Sequence, residues 1–353
     1  MTETRTPRAF GYRQPAEWEP HAGVWVAWPS HDELWGEHLL GAQDEHVAMC
    51  QAIADLDAGG KPRGETLHVL VPSGIREVEA RARLDGLGAV FHRVPFGDIW
   101  MRDIAPIFVR NDEGKVAPVC FAFNGWGGKY ILDGDDLVAG RVGELAGGEL
   151  FAFGFVLEGG AVEPDGEGAL LTTRQCLLNP NRNPGMPLER IESSLRDALG
   201  AETILWLEEG LANDHTDGHI DTLARFVEPG RVVCMAPSGD DDPNRDVLET
   251  IARDLAQMRD AKGRKLQVER IPSPGRVLDE EGIVMPASYA NFYIANTTVV
   301  VPTYGSPYDD EALAALEPLF PGRRVIGAPA INILAGGGAF HCITQQVPEG
   351  RID

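Results

Sequence analysis

Positive charge is scarce in this chain. Lys and Arg total 31 against 54 Asp and Glu, a formal net charge of −23. A nucleic-acid binder needs a basic footprint for phosphate contacts, so no nucleic-acid partner is expected. Acidity gives solubility and would also suit a cationic substrate. Long apolar runs are missing as well. No stretch reaches about eighteen apolar residues, so no membrane partner is expected. Met1 to Arg13 is polar and of mixed charge, without the apolar centre of a signal peptide, and the expected compartment is the cytoplasm. Cysteine is sparse, odd in number and scattered: Cys50, Cys120, Cys176, Cys234 and Cys342. With no C-x-x-C pair, neither a zinc knuckle nor a disulfide framework is indicated.

The cysteines differ in their neighbours. Cys120, Cys176 and Cys234 lie in apolar runs and are expected in the core, and Cys50 falls on a predicted helix. Cys342 follows the run Gly336-Gly337-Gly338-Ala339-Phe340-His341, and a glycine run lets backbone approach a ligand closely. His341 is poorly placed as its base, because adjacent side chains of an extended segment point to opposite faces. A partner is sought instead in Asp214-His215-Thr216-Asp217-Gly218-His219-Ile220-Asp221. If that segment is a strand, His219 and Asp221 share a face; it also reads as a surface turn with a capping Asp.

At 353 residues the chain can hold one large domain or two. Amphipathic helices are predicted at about 43–57, 75–84, 135–146, 187–199, 244–258 and 309–319, the last with Asp309 as N-cap. Short runs rich in Val, Ile and aromatics read as strands, among them 23–28, 66–71, 89–94, 104–109, 203–207, 231–236, 291–295 and 298–302. The last five helices recur roughly every 55–65 residues, too long for a simple βαβ unit, which suggests a repeat of about three strands and one helix. Radial repetition of such a unit gives a propeller-like α/β domain. No linker divides the chain, so residues 1–353 are expected to form a single domain. The stretch 237–244 reads as a surface loop.

Three further segments carry chemistry. Trp100-Met101-Arg102-Asp103 leads into an apolar run, so Asp103 is placed at a strand start; a structural ion pair is the other reading. Glu158 ends an apolar run before Gly159-Gly160, as a turn carboxylate or one aimed into a cavity. Asn124-Gly125-Trp126-Gly127-Gly128-Lys129-Tyr130 lacks the Ser or Thr of a phosphate-binding loop and reads as a turn presenting Trp126 and Tyr130. His215 and His219 have the spacing of zinc ligands on a helix, but Gly218 disfavours a helix and the accompanying Glu is absent. A papain-like arrangement would need its Cys ahead of the His.

Together these segments resemble the agmatine deiminase family, which also includes the bacterial type of peptidylarginine deiminase. The matching stretches run in family order from Trp18-Glu19-Pro20-His21 through Trp100–Asp103, Phe123–Tyr130, Leu157–Gly160, Leu177–Pro184, Thr216–Asp221 and Ser288–Asn296 to Gly336–Gln346. The resemblance implies the pentein fold, a five-bladed α/β propeller of ββαβ-type units. It implies hydrolysis of a guanidinium to a ureido group with loss of ammonia, and for agmatine the product is N-carbamoylputrescine. It makes Cys342 the nucleophile, His219 the general acid/base, Asp103 and Asp221 the guanidinium grip, and Glu158 a group orienting His219 or the substrate. Trp100, Trp126, His215, Asn291 and Gly338 become substrate-binding candidates. The implied partner is a small cationic guanidine, with no metal and no organic cofactor; a homodimer or higher homo-oligomer is left open. The chain departs from the family pattern at three places: His215 where an acidic residue is common, Ala339-Phe340 where Asn-Ile is usual, and Ala105 where Gly is usual. Alternatives are a deiminase of free or C-terminal arginine, and an inactive guanidine-binding or scaffold protein.

Overall fold

The structure, a computed structural model, describes residues 5–352; Met1–Thr4, the start of the polar leading segment, and Asp353 lie outside the described residues. Its strands form five small sheets. The first contains β1 (His21–Ala27), helix α1 (Leu39–Ala54), β2 (Thr66–Val71), helix α2 (Gly74–Arg83) and β3 (Val90–Arg93). The second contains β4 (Ile107–Arg110), β5 (Val116–Ala122), α3 (Asp135–Ala146) and β6 (Phe151–Val156). The third contains β7 (Glu163–Pro164), β8 (Ala169–Thr173), α4 (Leu188–Leu199) and β9 (Thr203–Leu207), and the fourth β10 (Ala224–Glu228), β11 (Arg231–Ala236), α5 (Arg245–Leu255) and β12 (Gln267–Pro272). The fifth contains β13 (Tyr293–Ile294), β14 (Thr298–Thr303), α6 (Asp309–Leu316) and β15 (Arg324–Pro329).

Each unit from the second to the fifth repeats one plan. An antiparallel pair is followed by a helix, and the helix returns the chain to a strand parallel to the second. The first sheet obtains its antiparallel strand from the other end of the chain: β16 (Gln345–Pro348) pairs with β1. The expected period of three strands and a helix is therefore present, with the first sheet enlarged to four strands.

Local chemistry sets the helix limits. On α4, Ile191, Leu195 and Ala198 are buried on one face, Pro187 precedes the first turn, and Gly200 ends the helix at φ 70, where a Cβ would be strained. Helix α1 begins and ends earlier than the sequence suggests, because Asp55 turns left-handed at φ 44. Asp309 is not an N-cap. It is the first helical residue, and its carboxylate accepts from the backbone N–H groups of Tyr304 and Ser306 and from the Tyr289 hydroxyl. The loop 237–244 is more organised than a plain surface loop, since buried Asp242 accepts from the N–H groups of Ser238 and Asn244.

The strand expected from residue 104 begins only at Ile107. Asp103 lies instead in a helical turn, Met101–Ile104, where the N–H groups of Asp103 and Ile104 both donate to Trp100 O. Pro106 pushes Ala105 to extended geometry and starts the strand afterwards. His219 and Asp221 are likewise not on a strand: His219 precedes the 3-10 turn Ile220–Thr222 that contains Asp221. The expected strand 291–295 shortens to Tyr293–Ile294.

A buried ionic network ties the units together. Glu17 lies 2.9 Å from Arg225, 3.1 Å from Arg102 and 2.8 Å from His341, and it accepts from Ile294 N. Burial opposes its charge, but Arg225 and His341 outweigh burial and hold its carboxyl well below the usual range. A depressed carboxylate contributes stability above the unfolded value, about 4.3, and that contribution disappears as pH falls through the folded pKa. Glu17→Gln is expected to lose about 3–5 kcal/mol at neutral pH, since two buried guanidinium groups lose their counter-charge. The deficit relative to the parent should shrink below about pH 4. Urea unfolding at pH 7 and pH 3.5 measures both; an equal deficit at the two values contradicts the assignment.

Candidate active site

The sheet plan explains why residues far apart in sequence meet. The segments entering the antiparallel strands β4, β7, β10, β13 and β16 carry Asp103, Glu158, His219 with Asp221, Asn291 and Cys342 respectively. Each unit thus delivers polar groups from the same point of its plan.

Cys342 lies on a turn just before β16. Arg102 N donates to its carbonyl at 3.0 Å, and Asn291 Nδ2 donates to its sulfur at 3.1 Å. Asn291 Oδ1 accepts from the N–H groups of His341 and Cys342. Asn291 therefore sits behind the thiol. Asp221 Oδ2 lies 3.5 Å from the sulfur and 2.7 Å from His341 Nδ1. His341 is held between Asp221 and Glu17, which keeps it from serving Cys342; the reason is this clamp, because the segment is turned rather than extended.

Asp103 accepts from the Trp126 indole at 2.9 Å and from Gly160 N at 3.0 Å, and its Oδ2 lies 3.8 Å from His219 Nδ1. Trp126 adopts φ 52, a left-handed conformation costing about 1–2 kcal/mol, in a turn where Asn124 accepts from Gly127 N. Glu158 accepts from Arg182 Nε at 2.6 Å, with both side chains fully buried. Four polar atoms here have no hydrogen-bond partner: both ring nitrogens of His219, Asp221 Oδ1 and Glu158 Oε2. Orphaned buried polar atoms are costly, so a cluster of them marks a place built for a polar occupant.

The charges set the proton inventory. Burial lowers the pKa of His219, but Asp103, Cys176 and Glu158 together hold it well above the ordinary value. Burial, then the charges of Asp221 and Asp103, push the Cys342 thiol well up. Burial raises Asp103, while His341 and His219 outweigh burial and lower Asp221.

A cavity of about 220 Å3 opens onto Asp103 and Cys342. Trp35, Trp100, Trp126, Tyr130, His215 and Gly338 are among its walls. Asp98 fixes two of the indoles, accepting from Trp35 at 3.0 Å and Trp100 at 2.6 Å. Tyr130 OH lies 3.1 Å from His215 Nδ1 at the rim. Gly338 is a close-approach position: a Cβ there would sit 2.7 Å from Trp100 and 3.0 Å from the Cys342 sulfur.

Gly160 is the tightest of these positions. A Cβ on it would meet His219 Nδ1 at 2.5 Å and carboxylate oxygens of Asp103 and Asp221 at 3.0 Å. Gly160→Ala is expected to displace these groups by about 1 Å and lower kcat/KM by about 100-fold. Steady-state kinetics, with circular dichroism to confirm folding, checks it; near-parent activity would show that the groups need not be this close.

The candidate site residues from the sequence are all in or against this site, though His219, Asp221, Glu158 and Asn291 lie behind the cavity floor. Sequence reasoning missed Glu17, Arg182 and Arg225, which hold the carboxylates and His341, and Asp98, which holds the indoles. It also placed Cys176 simply in the core. Cys176 is buried, but its sulfur lies within 4.8 Å of a His219 nitrogen and a Glu158 oxygen. The flanking apolar run gave no signal for that contact.

Residues 13–348 match the sequence model of the Porphyromonas-type peptidyl-arginine deiminases. An agmatine deiminase of Pseudomonas aeruginosa (strain LESB58) is 41% identical over 371 residues, covering 99% of this chain and 98% of that protein. One from Ectopseudomonas mendocina is 40% identical, covering 98% of each. The solved structure of the Enterococcus faecalis agmatine deiminase superposes with a TM-score of 0.91 at 34% identity, covering 98% of each chain.

Proposed function

The chain belongs to the Porphyromonas-type peptidyl-arginine deiminase family, and from that premise we propose that it hydrolyses agmatine to N-carbamoylputrescine and ammonia through a covalent amidino-cysteine. The observation that carries this reading is the meeting of Cys342, Asp103, Asp221 and His219 around orphaned polar atoms beneath an aromatic cavity.

A guanidinium is planar, cationic and resonance-stabilised, hence a poor electrophile. Asp103 and Asp221 grip its N–H groups and fix its plane. Its positive charge offsets the two carboxylates that disfavour the thiolate, so substrate binding itself helps ionise Cys342, whose proton leaves to solvent. The sulfur attacks the guanidinium carbon and a C–S bond forms. The C–N bond then breaks, and His219 supplies the proton with which ammonia departs. His219 next takes a proton from water as the water attacks the amidino carbon. The C–S bond breaks, the remaining proton of that water passes to ammonia or solvent, and the ureido product and the thiolate are released. Glu158 orients His219, and Asn291 supports the sulfur.

The cavity walls favour agmatine over arginine. Its lining holds Asp98 and Asp103 but no Lys or Arg, so a substrate carboxylate would find no cationic partner there. Agmatine carries none. Its methylene chain fits between Trp35, Trp100 and Trp126, and its distal ammonium reaches the rim, where Tyr130 and His215 stand.

In the same reading the five sheets form the blades of one propeller, closed by the pairing of β16 with β1, and the chain acts as one cytoplasmic catalytic domain. No described helix is long and apolar enough to cross a membrane. The test is incubation with agmatine, scoring ammonia and ureido product in equal amounts. Release of ammonia from arginine but not from agmatine would overturn the substrate, and failure with every guanidine would overturn the reaction.

A further inference from the structure

We propose that Glu158, Cys176 and His219 form a binding site for a thiophilic divalent cation of the zinc class, and that an ion held there stops the reaction by occupying His219. The inhibitory part rests on the proposed role of His219; the binding part does not.

Three observations carry the site. First, a carboxylate oxygen, a thiol sulfur and an imidazole nitrogen from these residues all lie within 4.8 Å of one another. Around a tetrahedral zinc ion such donors stand about 3.3–3.8 Å apart, so shifts of about 1 Å in three side chains would bring them into range. Second, the donors are available. Glu158 spends Oε1 on Arg182 and leaves Oε2 without a partner, and neither His219 nitrogen has a hydrogen-bond partner. Third, the surroundings suit a dication. Arg182, the nearby cation, is already engaged by Glu158, Asp217 and Thr216 O, while the Asp103 carboxylate lies 3.8 Å from His219.

The donor set also gives the ion its class. A thiolate and an imidazole with one carboxylate select zinc and similar soft or borderline ions over magnesium or calcium, which favour oxygen ligands. On binding, the Cys176 thiol proton and any proton on the coordinating His219 nitrogen leave to solvent. A coordinated His219 can neither give a proton to departing ammonia nor take one from water. The ion is thus an inhibitor, not a cofactor, and the reaction proposed above needs none.

Cobalt(II) tests the binding without turnover, because a cobalt–thiolate bond gives a near-ultraviolet charge-transfer band. Under anaerobic conditions the parent protein and Cys342→Ala should both show the band, and zinc should abolish it. Cys176→Ser should not show it, and Glu158→Gln should weaken it; circular dichroism confirms that each variant is folded. In the rate assay, zinc should inhibit Cys176→Ser about tenfold less effectively than the parent, each relative to its own zinc-free rate. No band in the parent overturns the proposal. A band that survives Cys176→Ser but disappears in Cys342→Ala also overturns it, because the ion then sits on the nucleophile. A parent that binds cobalt through Cys176 but hydrolyses no guanidine overturns the proposed function and leaves the metal site standing.

Discussion

Cys342→Ala is expected to lower agmatine turnover by about 10,000-fold or more while leaving agmatine binding within a few-fold of the parent. The loss is large because no second nucleophile can take over. Among the other cysteines, Cys50, Cys120 and Cys234 are buried away from the cavity lining, and Cys176 lies against His219 rather than on the cavity floor. Binding persists because the carboxylates of Asp103 and Asp221 remain. Isothermal titration with agmatine and a single-turnover assay measure the two quantities. Mass spectrometry of the parent with a haloacetamidine should place the adduct on Cys342. Residual activity of a tenth of the parent's, or an adduct elsewhere, removes Cys342 from its role.

His219→Gln is expected to cost about 100- to 10,000-fold in kcat, the usual range for a general acid/base. The pH profile separates this role from a merely structural one. The raised pKa of His219 keeps its acid form present above the ordinary imidazole value of about 6.5, and the form is lost as pH rises through the folded value. The raised pKa of Cys342 delays the thiolate of the free protein in the same direction. Both limbs of kcat/KM, which report the free enzyme, therefore move upward, and the optimum should lie on the alkaline side of neutrality. In His219→Gln the alkaline limb should vanish while the acid limb stays. Profiles of both proteins from pH 5.5 to 10 decide it; an unchanged alkaline limb in the variant means another group is the acid.

Legibility in the sequence followed the length scale of each feature. The amphipathic helices were readable because their signals are local: the buried face Ile191–Leu195–Ala198 and the stop at Gly200 involve neighbours within a few turns. The short turns that carry the candidate groups are less legible: the sequence places Asp103 at a strand start and leaves both a strand and a turn open for 214–221. Asp103 follows aromatics and precedes an apolar run, which looks extended, yet the closure onto Trp100 O and the break at Pro106 make a turn. Of the two readings open for His219 and Asp221, the structure has the turn: they converge through a 3-10 turn and the space left by Gly160, not by strand alternation.

The sequence by itself determined which groups to look for in the site, because a thiol after glycines, a His-x-Asp pair and carboxylates at the ends of apolar runs are local patterns that the family resemblance joins in order. It also determined the period of the repeat, since each helix carries its own start, apolar face and stop. Only the tertiary structure decided how those groups work. That Glu17 holds His341 away from the thiol, that Asp98 ties Trp35 to Trp100, and that Cys176 faces His219 each depend on bringing together segments well separated in the chain. Their strength depends on burial and on the charges gathered around them, and neither exists until the five sheets have come together.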